Sequence, residues 1–374
     1  MQTPPLLAID VFAGAGGLSL GFHRAGFHIV AAVELNANAA ESYSRSFVER
    51  LSQETECLQA DVADEQTVDK LKRLLARRQL DALIGGPPCQ DFSPARLRRE
   101  AQGRRASLVF RYLDLVAELR PRAFLFENVP GLLQADSGRH WKRLSKQLRD
   151  LGYSVHHREL DAQDYGVPQR RRRLIVVGVR QDVDQSFVFP QPIGGRTTVG
   201  EVFLRHREVL PEVAPGAHPA SDPNHKARRH RPATLELLAL VKPGESWREV
   251  RDRGGRVLKC HRNHNGHYDV YGRIDPHQVA PTITGGCTNP SKGRFIHPVH
   301  HRGLTVREAA LLQTFPPDWT FVGGVESESL QVGNAVPVAL AAALGTALHR
   351  TLSSAKPPGY RSFDLDTHVV GANA

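Results

Sequence analysis

The sequence predicts an α/β fold with a mostly parallel sheet over its first 180 residues or so. Apolar runs typical of buried strands alternate with helix-like segments. The strand-like runs cover residues 6–12, 29–34, 80–84, 123–127 and 174–179. A glycine-rich turn follows the first run, and an apolar helix through Leu18, Leu20 and Phe22 follows the turn. Strand, turn and helix in this order are typical of βαβ units, so each later strand is expected beside an earlier one.

The periodic pattern weakens after about residue 180 and returns near residue 304. The intervening stretch is rich in Pro, Gly, His and Arg. Helices are expected over residues 37–47, 304–315 and 336–348, the second opened by a capping box of Thr305 and Glu308 and the third by Pro337 in its first turn. We therefore divide the chain into a first domain (1–185), a smaller loop-rich domain (186–300), a part returning to the first domain (301–352) and a polar tail (353–374).

Composition indicates a globular protein with a polyanionic partner. Of the 374 residues, 40% are hydrophobic and 24% charged, and the formal net charge is +10 at pH 7. Excess Lys and Arg favours nucleic acid as the partner. No apolar run approaches the roughly 18 residues that span a bilayer, and no basic segment precedes the apolar N-terminus, so we expect neither a membrane span nor a signal peptide.

The four cysteines are widely spaced and form no CxxC pair, which fits a reducing cytosol; they are Cys57, Cys89, Cys260 and Cys287. Cys89 stands in GGPPCQDFS (85–93), directly after an apolar run. Two glycines and two prolines end the strand abruptly, so Cys89 is expected in a loop at its carboxyl end, where open α/β sheets bind ligands. This setting indicates a nucleophile rather than the buried structural cysteine that is the simpler alternative.

A second set of residues indicates a nucleoside-containing cofactor. In DVFAGAGG (10–17), glycines between a strand and a helix let the backbone approach a ligand. Glu34 ends the next strand, where a carboxylate can accept hydrogen bonds from ribose hydroxyls, and Asp61 can reach an adenine amino group. A tight turn without ligand is the simpler alternative, and these residues alone leave a nicotinamide-dependent dehydrogenase possible.

Glu127 and the arginine run 170–173 complete the candidate chemistry. Glu127 ends an apolar strand, so it is expected at the same sheet edge as Cys89, although a lone Glu is often only solvated surface. A thiol and a carboxyl group together suit attack on a ring that is protonated as it accepts the nucleophile. Alternation places Arg171 and Arg173 on one face, with the other two arginines toward phosphates or solvent.

These motifs together resemble the DNA cytosine-5 methyltransferase family of prokaryotic type. They follow the family's order over about residues 10–340. The matching segments are DVFAGAGG (10–17), GGPPCQDFS (85–93), ENV (127–129), QRRRR (169–173), RGLTVREAALLQTFP (302–316) and QVGNAVP (331–337). The resemblance implies a Rossmann-like S-adenosylmethionine-dependent methyltransferase fold, with residues 186–300 as a target-recognition domain.

The resemblance also implies roles for individual residues. Cys89 would add to carbon 6 of a flipped cytosine, Glu127 would hydrogen-bond the ring nitrogen and the exocyclic amine, and Arg173 would hold the base carbonyl with Arg171 in support. S-adenosyl-L-methionine would be the methyl donor, with no metal. Its implied binding residues are Asp10, Phe12, Gly14, Gly16, Gly17, Leu18, Glu34, Leu35, Asp61, Val62, Pro87 and Asn334.

The expected partner is double-stranded DNA, with a cognate restriction or defence system possible and a cytoplasmic monomer as the working form. Basic residues suited to phosphate contacts are the stretch 226–231 and Arg248, Arg251, Arg253 and Arg256. Two alternatives remain open: a transfer-RNA cytosine-5 methyltransferase, and an inactive DNA-binding regulator, against which the intact Cys89, Glu127 and Arg173 argue. The spacing of Cys260, His261, His264 and His267 matches no standard zinc finger.

Overall fold

The structure, a computed structural model, describes residues 4–88, 106–262 and 266–354. Cys89, His264 and the tail from residue 355 lie outside the described residues. The described strands are β1 (Leu6–Val11), β2 (Phe27–Glu34), β3 (Glu56–Gln59), β4 (Ala82–Gly85), β5 (Ala123–Asn128), β6 (Tyr153–Asp161) and β7 (Arg172–Arg180).

The seven strands form one sheet in the order β3-β2-β1-β4-β5-β7-β6. The five strands from β3 to β5 run parallel to one another, whereas β7 is antiparallel to both of its neighbours. The chain builds outward from β1 through β2 to β3, then returns to the other side of β1 with β4. This switch point opens a crevice at the carboxyl ends of β1 and β4, the place where open α/β sheets bind ligands.

Helices cover the sheet and continue through the C-terminal part. The described α-helices are α1 (Gly17–Arg24), α2 (Ala37–Tyr43), α3 (Glu65–Leu75), α4 (Ala106–Leu119), α5 (Arg139–Asp150), α6 (Val199–Arg205), α7 (Pro232–Leu240), α8 (Trp247–Asp252), α9 (Val306–Leu312), α10 (Val325–Asn334) and α11 (Val338–Ser353). Helix α2 continues as a π-helical turn over Ser44–Glu49. The α/β prediction is confirmed, and β6, the helices α3 to α8 and α10 are elements that the sequence pattern did not reveal.

The capping box expected at residue 305 is present. Thr305 caps α9, its hydroxyl accepts a hydrogen bond from the Glu308 backbone, and the Glu308 carboxylate accepts one from the Thr305 backbone. The helix ends earlier than predicted, at Leu312, because Thr314 adopts a left-handed backbone with φ of 61°. Helix α11 begins after Pro337, which is its N-cap rather than a first-turn residue.

Two large apolar clusters cover the two faces of the sheet. Successive strand residues alternate between them: Ala8 and Ile84 pack with α1 and α11, whereas Ile9 and Leu83 pack with α3 and α4. A third, small cluster lies between residues 237 and 296 and contains Trp247. Other residues of the 186–300 stretch pack in the first cluster, so the proposed boundaries of a separate domain remain a prediction.

One segment meets the length and composition of a membrane span, contrary to the expectation from the sequence. This segment is Val325–Ser353. In its most apolar 18-residue window, 61% is buried within the fold. Residues 335–337 interrupt the helix there, separating α10 from α11. A buried core helix has the same composition, so the observation is weak evidence for a membrane.

Candidate catalytic and cofactor site

The glycine-rich turn after β1 is held by the carboxylate at the end of β2. The Gly14 amide donates to Glu34 Oε2 at 2.9 Å, and the Asn36 amide donates to Glu34 Oε1 at 2.8 Å. Gly14 has a φ of +55°, and a Cβ built there would meet nothing within 4 Å. The backbone at Gly14 is therefore open to an approaching ligand, with the Glu34 carboxylate beside it.

The next two glycines serve packing instead. A Cβ on Gly17 would lie 2.5 Å from the Val336 carbonyl oxygen. Gly16 is left-handed with a φ of +89°, and the rings of Tyr43 and Trp319 would lie 3.1 to 3.3 Å from a Cβ there. These glycines allow the QVGNAVP motif to close against the turn. Leu18, also predicted at the cofactor site, is buried in the core.

Asp10, predicted at the cofactor site, has no exposed surface. The Ser19 hydroxyl donates to Asp10 Oδ2 at 2.6 Å, and the Tyr43 hydroxyl donates to Ser19 at 2.9 Å. Asp10 Oδ1 has no hydrogen-bond partner. Burial raises the pKa of Asp10 to about 7. Asp10 therefore supports the turn from beneath.

Three more predicted residues lie with accessible side chains at strand ends. Phe12 is half-buried in a left-handed backbone with a φ of 60°. Leu35 is 65% exposed. Asp61 follows β3, is exposed, and accepts the Ala63 amide through Oδ1 at 2.8 Å. An apolar ring, an open glycine backbone and two accessible carboxylates, Glu34 and Asp61, fit a nucleoside.

The remaining predicted residues divide by burial. Val62 and Pro87 are buried, and Asn334 is exposed at the end of α10. The Val62 carbonyl accepts Arg111 Nε at 2.9 Å. The side chains of Val62 and Pro87 therefore shape the crevice, whereas Asn334 presents an amide to solvent.

Glu127 and Arg173 meet at the carboxyl end of β5. Arg173 Nε lies 2.6 Å from Glu127 Oε1, and the two side chains are 16% and 11% exposed. The contact is ionic, since Oε1 receives no hydrogen bond of acceptable geometry. A Cβ built on Gly86 would lie 3.8 Å from Glu127 Oε2. The carboxylate therefore faces the start of the loop that carries Cys89, which itself lies outside the described residues.

Asn128 joins the glutamate strand to that loop. Its Nδ2 donates to the Pro87 carbonyl at 3.1 Å, and its Oδ1 accepts the Val129 amide at 2.9 Å. Asn128 is 2% exposed. We did not select it from the sequence, although its place beside Glu127 in the ENV motif was the available signal.

The four arginines alternate as predicted: Arg171 is buried and Arg173 nearly so, whereas Arg170 and Arg172 are exposed. Arg171 Nη1 donates to the Ile283 carbonyl at 2.9 Å and Nη2 to the Gly333 carbonyl at 3.0 Å. Burial, followed by the charge of Arg173, lowers the pKa of Arg171 to about 9. Arg171 thus joins the segment at Ile283 to Gly333 of the QVGNAVP motif, and its donors are used within the fold.

Gln169 is a further residue that sequence reasoning missed. It is fully buried, its Nε2 donates to Gln313 Oε1 at 2.9 Å, and its Oε1 accepts the Ile283 amide at 2.8 Å. Its position at the start of QRRRR was the signal. Gln169 and Arg171 together fix the segment that begins at Ile283.

An open groove of about 460 Å³ borders Arg173, and we name it the arginine groove. Its lining residues are Pro130, Gln134, Glu159, Arg170, Arg172, Arg173 and Thr282. The Thr282 hydroxyl donates to the Arg170 carbonyl at 2.7 Å, which closes one wall. Three guanidinium groups beside the Glu127 carboxylate suit an anionic ligand with a polar ring.

Within residues 4–88, 106–262 and 266–354, no cluster of three or more His, Cys, Asp or Glu side chains could hold a metal ion. Of the cysteine and histidines considered for zinc, Cys260 is exposed. His261 stacks on Trp247 with ring centroids 4.5 Å apart.

Comparisons with known proteins agree with this geometry. Residues 6–350 match the family model for C-5 cytosine-specific DNA methylase. The chain is 35% identical over 346 residues to the Type II methyltransferase M1.HphI of Haemophilus parahaemolyticus, covering 92% of this chain and 86% of that protein. It is 31% identical over 355 residues to the Type II methylase M.HgiDII of Herpetosiphon aurantiacus, covering 92% and 95%. A crystal structure of a presumed DNA modification methyltransferase encoded within an E. coli prophage aligns with a TM-score of 0.72 at 25% identity, covering 93% of this chain and 99% of that one.

Proposed function

The chain belongs to the C-5 cytosine-specific DNA methylase family and is a DNA (cytosine-5) methyltransferase, and we propose that it methylates a flipped cytosine within a specific duplex sequence through a covalent bond to Cys89. The Type II names of its relatives favour a role in restriction–modification or host defence. We further propose that it acts as a cytoplasmic monomer, associated with the nucleoid when bound to DNA.

The contact between Glu127 and Arg173 beside the Cys89 loop carries this proposal. Carbon 5 of cytosine is a poor nucleophile, so the ring must first be activated. As the Cys89 sulfur bonds to carbon 6, the displaced electron pair moves toward the ring nitrogen, where Glu127 supplies a proton. Carbon 5 then has enamine character. Arg173 holds the base carbonyl through its remaining donors and balances the nearby carboxylate.

The other half of the chemistry needs a methyl donor and the reversal of the addition. When bound, S-adenosyl-L-methionine supplies an electrophilic methyl group; Gly14, Glu34 and Asp61 would hold its nucleoside, with Phe12 near the adenine. Once carbon 5 carries the methyl group, it loses its proton to a base. The electron pair of that C–H bond re-forms the ring double bond, and the sulfur–carbon bond breaks to release the Cys89 thiolate.

The target carbon is inaccessible in a stacked duplex, so the cytosine must leave the helix at a cost of a few kcal/mol. The arginine groove offers a place for the extruded nucleotide. Its guanidinium groups suit the phosphates on either side, although Arg172 pairs with Glu159 and Arg173 with Glu127 in the protein alone. Phosphate contacts there would offset part of the unstacking cost.

The test uses Cys89→Ala and a mechanism-based trap. We expect Cys89→Ala to abolish methyl transfer to duplex DNA while DNA binding, measured by gel shift, is retained. Duplex DNA with 5-fluorocytosine at the target should give a denaturation-resistant adduct with the native protein, because fluorine blocks the final elimination.

Three outcomes would contradict the proposal. Turnover by Cys89→Ala near the native rate would exclude the nucleophile. Turnover on normal DNA without trapping would exclude the addition step. Labelling of transfer RNA but not of duplex DNA would exclude the DNA substrate. Protection of host DNA from a restriction endonuclease, after bisulfite sequencing has identified the site, tests the defence role.

A further inference from the structure

The structure separates the four arginines of residues 248–256 that were expected to contact phosphates. Internal acidic partners occupy three of them at 2.8 to 3.0 Å, in the pairs Arg251–Asp252, Arg253–Glu245 and Arg256–Glu236. Arg248 has no acidic or carbonyl partner among the residues that the structure describes. An arginine in this state is available to a ligand from outside the chain.

Partial burial makes the isolation of Arg248 unusual. The other arginines of residues 186–300 that are at least partly buried all have partners: Arg228 with Glu326, Arg251 with Asp252, Arg273 with several carbonyls, and Arg294 with Gly244 and Glu245. Arg248 Nε is buried and has no hydrogen-bond partner. Because the side chain is only half-buried, its terminal Nη groups are the donors that a ligand outside the chain can reach.

An aromatic ring holds the Arg248 side chain in place. Its guanidinium carbon lies 4.1 Å from the centroid of Tyr268, and that tyrosine is 49% exposed. Stacking fixes the plane of the guanidinium and leaves its in-plane edge for hydrogen bonds. An arginine that binds phosphate can do so without a fixed orientation. An arginine that reads a base edge must have its guanidinium plane fixed.

The element under Arg248 is rigid. Helix α8 begins with a capping box of Ser246 and Glu249, and Trp247 is fully buried in the small third cluster. The Trp247 Nε1 donates to the His267 carbonyl at 3.3 Å, which fixes the backbone next to Tyr268. Arg248 lies in the first turn of this helix, where the backbone dipole disfavours a cation, so helix stability does not explain its presence.

A backbone hydrogen bond connects the residues next to Tyr268 to the segment that begins at the arginine groove. The Tyr271 amide donates to the Pro290 carbonyl at 2.7 Å. Pro290 belongs to the segment that begins beside the groove at Thr282 and is anchored there by Arg171 at Ile283. The residues next to Tyr268 are therefore hydrogen-bonded to the segment that leads away from the arginine groove.

We infer that Arg248, held by Tyr268, reads a guanine of the target sequence in the major groove. This inference rests on the proposed function and specifies how that function becomes sequence-specific. The planar fork of an arginine can donate to both O6 and N7 of guanine, and no other base offers two acceptors there. The same fork would find a single acceptor on adenine or thymine and none on cytosine, so discrimination follows from geometry.

The experiment compares methylation patterns on a duplex library with random bases around cytosine, read by bisulfite sequencing. The native protein is expected to require a guanine at one position. Arg248→Ala should reduce the preference at that one position by about 10- to 100-fold and keep the rest of the pattern. Tyr268→Ala should weaken the same position less. Arg256→Ala, which removes a charge from the same region, should keep the native pattern.

Arg248→Lys separates readout from charge and also guards against misfolding, since it keeps the positive charge and most of the side-chain volume. It should weaken the guanine preference less than Arg248→Ala does, because its ammonium can still donate to O6 or N7 without the planar fork, while the salt dependence of DNA binding stays native. Equal slowing of all sequences by Arg248→Ala would identify a phosphate contact and overturn the inference, and so would an unchanged pattern in both Arg248 variants. A native protein that methylates no DNA would refute the proposed function instead.

Discussion

Two pairs of an arginine and a glutamate in this molecule differ in how many hydrogen bonds the carboxylate accepts. Both Glu308 oxygens accept hydrogen bonds from Arg302, at 2.7 and 2.9 Å, and the side chains are 1% and 6% exposed. Glu127 makes one ionic contact with Arg173, and its Oε1 accepts no hydrogen bond from the residues that the structure describes. A saturated pair holds the fold together, whereas an unsaturated pair keeps its capacity for a ligand.

The surroundings of Glu308 explain its saturation. Oε2 also accepts the Thr305 amide at 2.8 Å, closing the capping box of α9. Burial alone would raise the pKa of Glu308, but the neighbouring His297 and Arg302 lower it to about 2. The carboxylate is therefore ionised at all ordinary pH values and committed to structure. Glu127, by contrast, lies at a sheet edge beside an open groove.

Breaking the catalytic pair should have the largest effect on activity. Glu127→Gln keeps the side-chain shape but removes the proton that the ring nitrogen needs, so kcat should fall by about 100- to 10,000-fold. Labelled methyl transfer to a saturating duplex measures it. The free energy of unfolding should fall by less than in Glu308→Ala, because the glutamine oxygen can still accept from Arg173, which lines an open groove. Loss of stability with a native kcat would reverse the assignment.

Breaking the pair of Glu308 and Arg302 should lower the stability of the fold and leave the chemistry intact. Glu308→Ala leaves the Arg302 cation buried and unpaired, which should lower the free energy of unfolding by about 3–5 kcal/mol. Urea denaturation followed by circular dichroism measures this change. The rate per folded molecule, taken at a temperature where the variant is folded, should stay within a few-fold of native. A stable variant with a collapsed rate would place Glu308 in the chemistry.

Asp10 is a third carboxylate, and it has no cationic partner, so its pH dependence should differ from that of both pairs. Because its pKa is raised from 3.8 to about 7, the folded protein binds the proton more tightly than the unfolded chain does. The resulting stabilisation is complete below about pH 4 and is lost as the pH rises to about 7. Asp10→Asn should remove this dependence, at most about 1.4 kcal/mol per pH unit, in urea titrations between pH 4 and pH 8. Identical slopes in both proteins would show that Asp10 is ionised throughout.

The smallest expected effect tests the cap that completes the structural pair. Thr305→Ala removes the hydroxyl that accepts the Glu308 amide, so the free energy of unfolding should fall by about 0.5–2 kcal/mol. Thermal melting measures it, with Thr198→Ala at the similar capping box of α6 as a control of comparable size. A loss much greater than for Thr198→Ala would mean that the His225 contact to Thr305 at 2.9 Å also contributes.

The comparison also shows where sequence reasoning succeeds. Local pattern predicts Glu127 at the sheet edge, because a polar residue at the end of an apolar strand must emerge there. The role of Arg173 is implied by the motif that the chain shares with the family. The capping box at Thr305 was assigned for a similar reason, since its geometry spans a single helical turn. Arg302 was not recognised as the partner of Glu308, because a buried ion pair between a loop and a helix leaves no periodic signal.

The sequence by itself determined the α/β class, the order of the motifs, the glycine-rich turn and the residues at the catalytic edge. Each depends on periodicity or on chemistry within a few neighbouring residues. Only the tertiary structure decided that Gly17 serves packing against Val336 and that Arg171 joins Ile283 to Gly333. It also decided that Arg248, among the residues that the structure describes, lies against Tyr268 and not in an ion pair. These facts depend on contacts between residues far apart in the chain, and residue type alone does not specify which donors find acceptors when distant segments pack.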